Sequence, residues 1–246
     1  MKRALYTLMV SATALSPQFA WADETNWSGP YVGVTAGATE TTTENVDNWC
    51  WGACDGPTIK AIKPTIGATI GFNQQIDSGL VIGLESDFNT GGSKSVITPS
   101  SKLADPMPVF KWTADYKWSA SVRGRVGMTT GKSMVYVTSG YSIAKADLSE
   151  DTKNYPPFWS HPGPFGARWS GTLPGFTYGV GVEHSFGRAS FKAEVLHSSY
   201  SVKSACYADS VGATAGQCID DFSSEPSTLA FVSSSTAVRV GINYRF

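Results

Sequence analysis

The sequence predicts an all-β chain, an eight-stranded antiparallel up-and-down transmembrane β-barrel, and three observations predict it. The closing residues alternate strictly: Val238, Val240, Ile242, Tyr244 and Phe246 point one way, Arg239, Gly241, Asn243 and Arg245 the other. An apolar face towards lipid and a polar face towards a lumen is the pattern of an outer-membrane strand. The connections between alternating segments run long and short in turn, as extended outside loops and tight periplasmic turns do. Charged residues within the segments keep to one face.

Taken in order, Met1-Lys2-Arg3, an apolar run and Ala20-Trp21-Ala22 form a basic, then hydrophobic, then small-residue segment. It reads as a signal peptide, residues 1–22, cleaved near Ala22, because the apolar run is too short to span a bilayer. Residues 23–246 are then the barrel with four long extracellular loops. Removing Lys2 and Arg3 from 19 basic residues leaves 17 against 20 acidic ones, so no basic stripe suggests nucleic acid. With 25 glycines, 8 tryptophans and 10 tyrosines, the composition suits close-packed strands with aromatic girdles.

The first strand starts at Tyr31, with Val32, Val34, Ala36 and Ala38 against Gly33, Thr35 and Gly37. A polar stretch, 40–63, reads as a loop. The second strand, 65–73, shows Ile66, Ala68, Ile70 and Phe72 on one face, and Ile76-Asp77-Ser78-Gly79 turns it into the third, 80–88, with Leu80, Ile82, Leu84 and Phe88 against Glu85 and Asp87. After a second loop, 89–111, the fourth strand, 115–129, sets Tyr116, Trp118, Ala120, Val122, Val126 and Met128 against Lys117, Ser119, Ser121, Arg123 and Arg125. Thr130-Gly131-Lys132 turns into a fifth strand, 133–147, whose two faces are mixed, so its register stays open. A third, proline-rich loop, 148–169, precedes the sixth strand, 175–185, with Phe176, Tyr178, Val180 and Val182 against Gly179, Gly181 and Glu183. Phe186-Gly187-Arg188 leads to the seventh, 189–203, with Phe191, Ala193 and Val195 against Lys192 and Glu194. A fourth loop, 204–233, reaches the last strand.

An even strand count puts both termini in the periplasm. Glu85, Asp87, Lys117, Arg123, Arg125, Glu183, Lys192, Glu194, Arg239 and Arg245 share the less apolar face and are the expected lumen charges. A secreted β-sandwich would also separate an apolar from a charged face. Gly37, Gly67, Gly71, Gly127, Gly179, Gly181 and Gly241 on the charged face fit a narrow lumen better, where they leave room for long arginines.

Several of these segments together carry a resemblance: Trp27-Ser28-Gly29-Pro30-Tyr31-Val32-Gly33, Ser121-Val122-Arg123-Gly124-Arg125-Val126-Gly127, Gly179-Val180-Gly181-Val182-Glu183, Lys192-Ala193-Glu194 and the terminal strand. The chain resembles the small outer-membrane β-barrel proteins of alphaproteobacteria, porin-like and opacity-like surface antigens, over its strands and not its loops. The resemblance implies location in the cell outer membrane, contact with outer-membrane lipid and lipopolysaccharide, and handling by the barrel assembly machinery through a C-terminal aromatic signal, here Phe246. It also implies a non-enzymatic, structural or surface-antigen role, adhesin-like, with any host or environmental ligand met by the loops.

Four residue sets outside the lumen invite chemistry. Cys50 and Cys54 in the first loop and Cys206 and Cys218 in the fourth are disulfide candidates in an exported chain, within each loop or between the two. No histidine lies near them, which argues against a metal site. His161, among Trp159, Phe165 and Trp169, is the candidate axial ligand for a haem-binding alternative; no cofactor is otherwise expected. His197 and Ser199 share a strand face and resemble the His-x-Ser pair of outer-membrane lipid A deacylases. The asparagine that follows the serine there is absent, and no carboxylate orienter is evident. A narrow porin-like channel is the remaining alternative, set against a lumen that eight strands fill with side chains.

Overall fold

The structure, a computed structural model, describes residues 25–47, 58–76, 79–97, 109–153, 165–209 and 228–246. Within them run β1 (Gly29–Asp47), β2 (Ile59–Gln75), β3 (Leu80–Ile97), β4 (Val109–Thr130), β5 (Ser133–Lys153), β6 (Phe165–Phe186), β7 (Ala189–Tyr200), β8 (Lys203–Asp209) and β9 (Thr228–Arg245). Each pairs antiparallel with its neighbour. β1 also pairs with β9, from Tyr31 opposite Arg245 to Asp47 opposite Leu229, so the sheet closes on itself. β7 and β8 are two lengths of one rail between β6 and β9, which makes eight barrel strands.

The seventh rail is interrupted where a continuous strand, 189–203, was expected. The N–H and hydroxyl of exposed Ser201 both donate to the Pro174 carbonyl, at 2.8 and 3.1 Å. Above this point β8 meets β6 only from Phe165–Asp209 to Ala167–Tyr207, and no ladder pairing joins residues 168–173 to β8 among the described residues.

Much of what reads as loop is strand. β4, β5 and β6 are 22, 21 and 22 residues long, about twice the roughly 9–11 that cross a bilayer. The sequence conceals this because both faces become polar: Glu40, Thr42 and Glu44 face outward while Thr39, Thr41 and Thr43 face inward. The hydrophobic alternation fades although β-branched threonines keep the chain extended. Gly131 and Gly187 close two-residue turns at the opposite end with φ of 59° and 85°.

One extra residue in β4 corrects the expected facing of Lys117. Tyr116 pairs with Ala146 and Trp118 with Lys145, leaving Lys117 as a bulge, opposite an irregularity between Thr90 and Ser93 in β3. The bulge reverses parity. Below it Arg123 and Arg125 point inward; above it Trp112, Ala114 and Tyr116 do, and Lys117 is turned out. Burying its ammonium among those aromatics would carry a large desolvation cost. The register of β5 resolves: Met134, Tyr136, Thr138, Ser142, Ala144, Ala146, Leu148 and Glu150 face the interior.

Candidate functional site

The interior is layered. At the end where the short turns lie, the segment before β1 tucks Trp27 under the barrel, fully buried, with the Arg245 guanidinium 4.7 Å over its ring. The Trp27 backbone N–H donates to Gln75 Oε1 at 2.9 Å, and the Gln75 backbone N–H donates to Ser28 Oγ at 3.0 Å.

Above it lies an ion-pair network. Arg123 Nη2 donates to Glu85 Oε1 at 2.6 Å and to Asp87 Oδ2 at 2.9 Å, and its Nε donates to Ser121 Oγ. Arg239 joins Glu194 Oε2 at 2.8 Å to Asp87 Oδ1 at 3.0 Å, while Lys192 reaches Glu85 Oε2 at 2.9 Å. Arg125 pairs with Glu183 at 3.1 Å and is held between the rings of Tyr31 and Tyr136, 4.9 and 5.0 Å from their centres. The two tyrosine hydroxyls donate to Glu85 and Glu194 at 2.8 Å. Nine of the ten expected lumen charges are therefore buried inside, the exception being Lys117; eight of them form these ion pairs, and Arg245 instead donates to the Asn26 carbonyl and to Ser185. Such pairs are held in place because an uncompensated charge here would be strongly destabilising.

The lumen glycines do not chiefly make room for arginines. A Cβ at Gly71 would lie 2.2 Å from Tyr31 Oη and one at Gly181 2.4 Å from the Tyr136 ring, so each tyrosine lies flat over a glycine of the next strand. At Gly37 and Gly179 the obstacle is the neighbouring backbone carbonyl, 2.2 Å away.

Higher up, hydroxyls replace charges. Thr177 and Ser198 share a hydrogen bond of 2.6 Å, and Thr43 and Tyr116 one of 2.8 Å. Two cavities of about 50 Å³ lie here, lined in part by Thr39, Thr65, Asn89 and Tyr200. They have room for a few waters. The top layer is apolar: Trp112, Tyr116, Leu148, Leu173, Tyr200 and Phe231 are buried together, and Trp112 Nε1 donates to Glu150 at 3.0 Å. This aromatic core sits inside the part of the barrel that rises above the bilayer band. The filled interior leaves no wide aqueous path through the described residues.

Outside, apolar side chains form a continuous band, with Val34, Ile66, Ile70, Leu84, Val126, Val180 and Ile242 all half exposed or more. Aromatics edge the band on both sides. Tyr244 stacks edge-on with Phe246, and His184 with Phe186, near the short turns. Phe88 with Trp118 and Tyr141 with Phe176 stand at the other rim. Beyond that rim the outward face carries Lys117, Asp115, Lys145, Asp147, Asp151 and Arg168. The Asp147 carboxyl is held below its ordinary range by the Ser170 hydroxyl and by Lys117, and Lys117 is raised by its contact with Asp115.

His197 and Ser199 lie on the outward side of β7, at the rim away from the short turns. His197 Nδ1 is 3.0 Å from Thr236 Oγ1, its Nε2 is 3.5 Å from Ser199 Oγ, and the Tyr178 ring lies 5.4 Å away. A threonine hydroxyl thus stands where a catalytic triad places its carboxylate, and among the described residues no carboxylate touches His197. Cys50, Cys54, Cys218 and His161 lie outside the described residues, as does the side chain of Cys206. The inward roles of Tyr136 and Trp27 leave no mark in the sequence pattern, and Tyr116, expected on the outward apolar face of β4, lies instead in the upper aromatic core. Tyr31 was readable from its parity with Gly33, while the upper core is hidden by the bulge at Lys117.

The family model of the outer membrane protein beta-barrel domain matches residues 4–246. The 31 kDa outer-membrane immunogenic proteins of Brucella melitensis and Brucella suis are each 26% identical over 246 aligned residues, covering 94% of this chain and 88% of theirs. Among solved structures, Neisserial surface protein A aligns with a TM-score of 0.40 at 14% identity, over 89% of this chain and 98% of that one.

Proposed function

We propose, for a chain that belongs to the outer membrane protein β-barrel family, a non-enzymatic role at the cell surface: the barrel anchors in the outer membrane and its projecting strands and their connections present a recognition or antigenic surface. The observation that carries this reading is the division of the molecule by height. The lipid-facing band is filled inside by ion pairs, whereas β4, β5 and β6 continue well beyond it around an aromatic core of their own. A passage for solutes has no use for such filling, and a stiff projection has. The name of the Brucella relatives, immunogenic outer-membrane proteins, is consistent with exposure of the same part here.

Site-directed labelling tests the orientation this role requires. With the four native cysteines replaced by serine, Lys145→Cys reacts with a membrane-impermeant maleimide on intact cells, and Ser133→Cys reacts only after the outer membrane is opened. The reverse pattern would place the tall end in the periplasm and end the surface role.

The His197–Ser199 pair gives the enzymatic alternative its sharpest form. On the non-enzymatic reading, cells expressing Ser199→Ala carry lipid A of the same mass as cells expressing the wild-type chain, because nothing was deacylated in either. A mass difference of one acyl chain between the two strains would overturn it.

A further inference from the structure

Two outward positions break the lipid-facing band. Gly124 in β4 and Ser139 in β5 are cross-strand partners, both exposed, in a band whose neighbours above and below them are Val122, Val126, Val137 and Tyr141. Packing does not demand a glycine there: a Cβ on Gly124 would meet nothing nearer than the Ser139 carbonyl oxygen at 3.9 Å. A glycine in mid-strand weakens the sheet, and towards hydrocarbon a larger apolar side chain would be favourable.

The absence of bulk leaves a hollow of about 770 Å³ in the outer wall, bounded by Ile82 and Val126 on one side and Val137, Tyr178 and Val180 on the other. That size falls among pockets that hold a drug-sized ligand, on the order of 300–1,000 Å³. His197 forms part of its edge. With Nδ1 bonded to Thr236, His197 Nε2 faces Ser199 Oγ at 3.5 Å, beyond a good hydrogen bond, so both groups have capacity for another partner. Polar groups facing hydrocarbon are costly unless such a partner arrives.

We propose that this hollow is a binding site for one acyl chain of an outer-leaflet lipid, with the ester, amide or hydroxyl of that chain hydrogen-bonded at His197 and Ser199. The occupant follows from position. The hollow lies within the band that faces the bilayer, and its polar edge lies at the extracellular rim beside Tyr178, where the linkage region of a lipid meets hydrocarbon. The site rests on the outer-membrane location alone and stands or falls separately from the surface role.

The test is lipid retention. The barrel is extracted from outer membrane in mild detergent, passed through exhaustive detergent exchange and examined by native mass spectrometry. The wild-type chain retains about one lipid per barrel; Gly124→Leu and Ser139→Leu, which fill the hollow, reduce occupancy at least tenfold; Val122→Leu, also outward but beside the hollow, does not. The retained mass separates the two sources of the same chemistry, an acylated glucosamine lipid or a glycerophospholipid. Heat-dependent gel mobility of each variant guards against a folding defect. No lipid on the wild-type barrel, or equal retention by wild type and both filled variants, overturns the site.

Discussion

Arg123→Ala lowers the stability of the refolded barrel by about 3–5 kcal/mol, the usual cost of leaving buried partners uncompensated. Arg123 is fully buried and donates to Glu85, Asp87 and Ser121, with Glu194 at 3.6 Å, so it links three strands across the lumen. Removing it leaves three carboxylates with only Arg239, Lys192 and Arg125 to serve them, and opens a void in their midst. The measurement is the urea midpoint of the barrel in lipid vesicles, followed by the gel-mobility difference between heated and unheated samples. Arg168→Ala is the control. Its pair with Asp151 is outside, with the arginine side chain 72% exposed, and such pairs contribute about 0–1 kcal/mol. Equal midpoints for the two variants would mean that the lumen network does not hold the barrel together.

Gly140→Leu prevents folding, whereas Gly124→Leu on the same hairpin does not. The two glycines lie on adjacent strands but opposite faces. Gly140 points inward, and its Cβ would lie 2.1 Å from the Val122 carbonyl oxygen and 2.6 Å from the Arg123 Cα. Both obstacles are backbone, and moving them drags the β4 segment that carries Arg123. The cost exceeds the roughly 1–3 kcal/mol of ordinary overpacking, because no side chain can step aside. Gly124→Leu adds a side chain in open space and keeps the heat-dependent mobility shift. If both variants fold alike, the facing assigned to β4 and β5 is wrong.

What the sequence discloses follows from where alternation is strong. Within the apolar band, the outward face of β1 to β4, β6 and β9 is almost wholly apolar and the inward face charged or small, so strand order and which side chains point inward could be read residue by residue there. β5 resisted because its inward face is itself apolar in Met134, Tyr136, Ala144 and Leu148 while Ser139 interrupts its outward face. Above the rim the rule inverts, with apolar groups inside and charged ones outside, as in a water-soluble barrel. A single bulge at Lys117 carries β4 across that inversion, and no local signal marks it. The ion pairs were legible as a set but not as partners, since register decides that Arg123 meets Glu85 and Arg239 meets Glu194. Gly124 looked like one more glycine of the same motif. Only its parity, opposite to that of Gly127 and Gly179, separates a wall that needs space inside from one that leaves space outside.

The interruption between β7 and β8 sets how cooperatively the molecule opens. Below it every strand is laddered to both neighbours around the ring, so loosening any one of them means opening the whole anchor. Above it, residues 168–173 lack that support on one side and residues 59–65 of β2 lack it towards β3, whose ladder ends at Ile66–Thr90, so the aromatic core there can part along two lines. Local opening free energies differ in this way between units of one fold. The portion outside the bilayer therefore exchanges its amide hydrogens and meets proteases on its own, more frequent schedule, while the membrane-held portion remains shut. On the proposed orientation, the part of the chain that meets the surroundings is the part whose fold is locally renewable.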